Sequence, residues 1–291
     1  MRKTKRNCIS QNKKAFLFLA PSLIGVSVFV LAPFLNVVFR SFYQAVGGRF
    51  VGLRNFREVL NSQAFRLAVW NTFRFTAVCI PALLALSLLL ALLVRAAKNG
   101  AGLYKTSILL PMAIPVASIV LLWKLVFHNK GILNQILLLF GAAGKDWMGG
   151  KSAFYVLAAT YLWKNTGYDM VLWLAGLDGI SGELYEAAEV DGAGVVQKFI
   201  YITMPGLRRT VLLAGILSVV NSFKVFREAY LVAGDYPDES IYMLQHLFNN
   251  WFVSMDIQKM SAASVLIEAV VLVPVILYIL AGRRKKRGME E

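Results

Sequence analysis

The run Ala82-Leu83-Leu84-Ala85-Leu86-Ser87-Leu88-Leu89-Leu90-Ala91-Leu92-Leu93-Val94 is apolar except for one serine, and it closes a longer run that begins near Asn71. A helix needs roughly 20 such residues to cross a bilayer. Lipid offers the backbone no hydrogen-bond partners, so a continuous run of this kind crosses only as a helix. Further runs of similar length lie outward from it, at Ala15 to Phe39, Ser107 to Phe127, Ala153 to Leu177, Val211 to about Leu231 and Ala262 to Ala281. The reading is an all-α polytopic membrane protein with six transmembrane helices. Composition points the same way. Of 291 residues, 58% are hydrophobic and 16% charged, with mean hydropathy +0.60. Ordinary soluble domains carry about 25% charged residues.

The net charge of +15 falls at the ends of the apolar runs. No nucleic-acid motif accompanies it, so topology is the better account and nucleic acid is excluded as a partner. Six Lys/Arg precede the first run, and Arg283, Arg284, Lys285, Lys286 and Arg287 follow the last. Arg95, Lys98, Lys105, Lys198, Arg208 and Arg209 lie on the same side. The other side carries Arg49, Arg54, Arg57, Lys130, Lys145 and Lys151. The bias places both termini in the cytoplasm. The first run is longer than a signal peptide's apolar region of about 7–15 residues and lacks a small-residue cleavage site, so it reads as a retained anchor. The chain then divides into a tail, first helix and outer loop (1–65), a five-helix transmembrane domain (66–281) and a basic tail (282–291).

No catalytic or metal constellation emerges. Cys8 and Cys79 have no metal spacing, and only two His are present. Gly149-Gly150-Lys151-Ser152 approaches a phosphate-binding loop, but Lys145 stands where that loop needs its first glycine. No cofactor is therefore expected on this chain.

The long polar interruption is about 178–209. Ser181 is placed to cap a helix, with Glu183 in its first turn, and Gly192 ends it. Glu183, Glu186, Ala187 and Val190 share one face. A second helix from about Ala193 puts Val195, Phe199 and Ile202 on one side, and Pro205 closes it. Small Ala187 and Ala188 beside the Glu186 carboxylate suit the docking of a partner. An amphipathic pair lying on the membrane surface is the competing reading.

Polar groups also interrupt the spans. Asn165 and Asp169 lie one helical turn apart, with Trp163 and Tyr168 nearby. Ser218, Asn221, Lys224 and Glu228 form one stripe on the fifth run, where Lys224 and Glu228 are spaced to pair. Trp163, Asn165, Asp169, Asn221 and Lys224 are the candidates for a translocation path, since polar donors beside aromatic faces suit a sugar. Hydrogen bonding between helices is the alternative. Pro111 and Pro115 read as bends within the third span. After the turn-like Gly234-Asp235-Tyr236-Pro237-Asp238, the spacing of Leu244, Leu247, Phe248 and Trp251 predicts a short helix.

Glu186-Ala187-Ala188, three residues, Gly192, nine residues, Ile202, one residue and Met204-Pro205 together resemble the EAA motif of binding-protein-dependent ABC importer permeases. Met204 stands for the usual Leu, a volume-conserving exchange. Phe50-Val51-Gly52-Leu53-Arg54-Asn55-Phe56, Trp163-Lys164-Asn165-Thr166-Gly167, Leu174-Ala175-Gly176-Leu177 and Asp191-Gly192-Ala193 are similar to the maltose, multiple-sugar and glycerol-phosphate branch. Phe226 to Asp235 departs from the Gly-Gly-Pro turn common there. The resemblance implies a type I importer permease fold. It implies that Glu186, Ala187, Ala188, Asp191, Gly192, Ile202 and Pro205 dock on a cytoplasmic ATPase dimer, which binds the ATP and Mg. It also implies a second homologous permease, an extracytoplasmic solute-binding protein and a sugar substrate. A non-sugar solute such as glycerol phosphate, an ATP-independent secondary transporter and a membrane scaffold are the rival readings.

Overall fold

The computed structural model describes residues 18–97, 100–270 and 272. The described residues are helices and short connections, with one isolated antiparallel bridge, Tyr43 to Phe50. In order they are α1 (Phe18–Ser41), α2 (Arg54–Asn61), α3 (Gln63–Ala96), α4 (Ala101–Ala113), α5 (Val116–Phe127), α6 (Ile132–Leu139), α7 (Gly150–Asp178) and α8 (Gly182–Val190). Next come α9 (Val195–Lys198), α10 (Arg208–Ser222), α11 (Phe226–Ala233), α12 (Leu244–Val253) and a last helix, α13, over 257–270. The all-α expectation holds.

Among the described residues, four stretches are long and apolar enough to cross a membrane: Phe18–Ser41, Gln63–Ala96, Val116–Leu139 and Arg208–Leu231. Helix α7 has the length, at 29 residues, but Lys164, Asn165, Thr166 and Asp169 break its apolar character. The run Ala262 to Ala281 lies mostly outside the described residues, as do most of the basic residues of both tails. Six spans therefore remain an expectation.

One expected span is corrected. Ser107 to Phe127 does not form a continuous helix. Pro115 disfavours the helical conformation at the residue before it, and Ile114 is extended at φ −73°, ψ 127°. Helix α4 ends there and α5 restarts beyond the proline, whereas Pro111 is accommodated inside α4.

The chain forms two compact units. The first comprises the described residues up to Phe65 and from Phe248. In it the Asn55 amide donates to the carbonyls of Ser41 (2.9 Å) and Tyr43 (3.0 Å), which pins α2 under the end of α1. The second unit, Arg66–Leu247, holds two apolar clusters. One gathers Phe75, Cys79, Leu83, Ile119, Trp123, Phe154, Leu157 and Tyr161. The other gathers Ala91, Val94, Met170, Trp173, Leu174, Leu177 and Leu207. Ser87, the one polar residue of the opening run, is fully buried there. Its hydroxyl donates to Leu83 O at 2.7 Å and accepts the Trp173 indole N–H at 2.9 Å. Helix α7 meets α4 backbone to backbone at Gly167, where any side chain would run into the Ile108 carbonyl. Small residues permit such close approach between helices.

The predicted helix after the Gly234 turn is present as α12. Leu244 and Leu247 are buried, and so is His246 between them. The His246 Nδ1 accepts the Met243 N–H at 3.2 Å, and its ring stands edge-on to Phe226 at 4.7 Å.

Candidate functional site: the elbow and the polar cleft

The polar interruption folds as an elbow. Ser181 occupies the position before α8, as expected, but its side chain makes no capping hydrogen bond. At the other end Gly192 adopts φ +76°. Its N–H donates to Glu189 O at 3.0 Å, and the Ala193 N–H reaches back to Ala188 O at 2.8 Å. The second bond depends on a left-handed residue at this point, and together the two satisfy the carbonyls of Ala188 and Glu189 near the end of α8. The glycine of the motif is thus explained by backbone geometry.

The second arm differs from the sequence reading. Pro205 does not close it. The chain runs from α9 through a π turn at Phe199–Thr203, then Met204–Gly206, and enters α10 after Leu207. A π turn shifts hydrogen bonding to i→i+5, so Met204 N bonds Phe199 O. The wider register accommodates a proline that has no N–H to give. Val195 also parts from Phe199 and Ile202: it is 81% exposed, while they are half-buried.

The elbow is fixed to the second unit. Leu207 is fully buried in the cluster with Leu177 and Trp173. Arg95 donates to Leu177 O at 3.0 Å, and its guanidinium lies 6.0 Å from the Tyr185 ring centre. Beyond these anchors the surface is open. Glu186, Ala187, Asp191, Gly192 and Pro205 are exposed, and Ala188 and Ile202 are half-buried. Exposed aliphatic residues surround them: Leu184, Val190 (88%), Val195 and Val196.

A second feature lies among the helices. A cleft of about 120 Å³ is lined by Met112, Thr160, Tyr161, Lys164, Asn165, Asn221, Lys224, Val225 and Glu228. It brings together three of the expected path residues: Asn165, Asn221 and Lys224. The other two lie elsewhere. Asp169 is buried against α10, where it accepts the Ser218 hydroxyl at 2.7 Å. Trp163 stands exposed and does not line the cleft.

The expected pair of Lys224 with Glu228 is not made. Lys224 donates to Asn221 Oδ1 at 2.8 Å, and Glu228 instead binds Lys164 of α7 at 2.6 Å. The reason is a tight 3₁₀ turn, Phe223–Val225, inserted between α10 and α11. It disturbs the i,i+4 stacking that a regular helix would give. Lys164 and Glu228 are 18% and 5% exposed, and Glu228 Oε2 has no partner among the described residues. The spacing alone gave no sign of this pairing, because the partners are 64 positions apart.

Residues 83–287 match the family described as binding-protein-dependent transport system inner membrane component. The chain belongs to this family. The permease is 31% identical over 280 residues to the trehalose/maltose transport system permease protein MalF of Thermococcus litoralis, covering 94% of this chain and 95% of that one. It is 29% identical over 279 residues to the sulfoquinovosyl glycerol transport system permease protein SmoG of Agrobacterium fabrum, covering 93% and 91%. A crystal structure of a bacterial ABC transporter involved in the import of the acidic polysaccharide alginate has a chain of the same fold. Its TM-score is 0.80 over 98% of this chain and 99% of that one, at 21% identity. The importer-permease class read from the EAA motif therefore holds, and the permease is a multi-pass membrane protein.

Proposed function

We propose that the permease is one of two homologous membrane subunits of an ATP-driven importer that carries a sugar or oligosaccharide into the cell. A solute-binding protein delivers the substrate from outside. A cytoplasmic ATPase dimer, which binds the ATP and Mg, drives the cycle. Both termini and the elbow face the cytoplasm, as the distribution of Lys and Arg favours.

The observation that carries the reading is the elbow. It combines a glycine bend, an anchored base and a surface of exposed valines around Glu186. Exposed apolar residues gathered with a carboxylate mark a docking surface more readily than a solvated loop. Glu186 supplies the charge for a basic residue of the ATPase. Ala187 and Ala188 allow close approach, and Asp191, Gly192, Ile202 and Pro205 shape the bend. Relatives that carry trehalose, maltose and sulfoquinovosyl glycerol support a sugar. The cleft wall of Asn165, Asn221 and Lys224 supplies donors and acceptors for sugar hydroxyls. Asp169 serves beside it by tying α7 to α10 through Ser218.

The test is uptake of labelled maltose and trehalose by vesicles that contain the full complex. Uptake should require ATP inside, the binding protein outside and Glu186. With Glu186→Lys, ATPase should no longer co-purify and uptake should cease while the permease still inserts. Uptake that survives removal of the ATPase would refute the reading.

A further inference from the structure

The elbow's two arms are joined covalently only through Asp191-Gly192-Ala193-Gly194, a segment with two glycines. The Gly192 turn completes the end of α8 but does not by itself set the angle at which the second arm leaves. Two side-chain ties cross from arm to arm. Nearer the bend, Lys198 Nζ binds Glu189 Oε1 at 2.6 Å. Farther out, the Tyr185 hydroxyl and Thr203 Oγ1 meet at 2.9 Å. The ties are nested, 189 to 198 inside 185 to 203. One tie fixes a distance between two arms, whereas two nested ties fix their angle.

We propose that Glu189, Lys198, Tyr185 and Thr203 are positioning residues that lock the elbow into one rigid lever, so that displacement imposed on α8 reaches α10. The inference rests on the docking reading above. Several observations set these ties apart from incidental surface contacts. The Lys198 side chain is only 18% exposed, so its ammonium is held in place rather than swinging in solvent. The hydrogen bond and charge of Lys198 hold the Glu189 carboxyl below its ordinary range. Thr203 is buried and is the last residue of the π turn, so the outer tie grips the second arm where its register departs from a regular helix. Tyr185 lies beneath Arg95, which is itself bonded to the end of α7 at Leu177. The outer tie is thus joined to the frame that carries Leu207 and the entry to α10.

The test measures solute moved per ATP hydrolysed in vesicles that contain the whole importer, with maltose as probe. Lys198→Met and Tyr185→Phe each remove one tie, and each should lower the ratio by about threefold, the scale of one surface ion pair or one net hydrogen bond. The double variant should lose most of the coupling while ATP hydrolysis continues and ATPase still co-purifies. Exchanging the charges, Glu189→Lys with Lys198→Glu, should restore the ratio, which a role for either residue alone would not allow. An unchanged ratio in the double variant overturns the proposal, as does a charge exchange that fails to recover it. Loss of ATPase from the Lys198→Met complex also overturns it, because Lys198 would then be a docking residue. A wild-type permease that retains no ATPase refutes the docking reading itself, and the lever with it.

Discussion

Gly192 allows backbone strain to be separated from steric bulk. Its φ is +76°, and a methyl group added there would meet nothing within 4 Å. Volume should therefore be irrelevant, and only the preference for the left-handed region should count. For an ordinary L-residue that conformation costs roughly 1–2 kcal/mol, while Asn tolerates it better. The amide of Ala193 reports directly, because its bond back across Gly192 to Ala188 O forms only in this geometry. Hydrogen exchange over residues 182–206 in nanodiscs is the assay. Gly192→Ala should lose about 5- to 30-fold in protection at the end of α8, the equivalent of that energy. Gly192→Asn, although larger, should lose less than Ala, and Gly192→Val should lose most, as β-branching makes this region an outlier. A ranking that follows side-chain volume, or full protection in the valine variant, would refute the argument.

Two further outcomes follow from buried charge and burial of an imidazole. Lys164→Met leaves the Glu228 carboxylate buried without its cation, and breaking such a pair costs about 3–5 kcal/mol. Lys164→Met with Glu228→Leu should recover most of the loss in thermal melting of the purified permease, and failure to recover would assign both residues another role. His246 is fully buried, and burial pushes its pKa down to about 4. An unfolded histidine titrates near 6.5, so between those values the unfolded chain binds a proton that the folded one does not. Stability should be intact above pH 6.5 and fall by up to about 1.4 kcal/mol per unit towards pH 4. His246→Gln should flatten that dependence in melts taken across the range.

The all-α fold and the bend of the elbow were legible because each rests on a local signal. The run ending at Val94 needs only hydrophobicity and length, and the α8 bend needs only a glycine after a helical pattern. What could not be read depends on departures from the regular helix. Pro205 looked like a terminator because nothing in the sequence announces the π turn that accommodates it. Lys224 and Glu228 looked paired because i,i+4 spacing assumes 3.6 residues per turn, and a 3₁₀ turn intervenes. Pro115 was visible, yet whether a proline bends or breaks a helix depends on the neighbours available to the freed carbonyls. Asp169 and Asn165 share a face by count, but the first meets Ser218 and the second the cleft.

The hydroxyl of Ser87, set in a belt of leucines, works as an index mark. Leucines on many sides of a helix resemble one another, so a directional bond sharpens the rotation that packing of Leu83, Ala91 and Val94 already favours. The Trp173 indole N–H can be answered at only one azimuth. Exposed aliphatic positions of the same helix, such as Leu89 and Leu93, carry no such constraint on its bearing, which this one oxygen helps to hold.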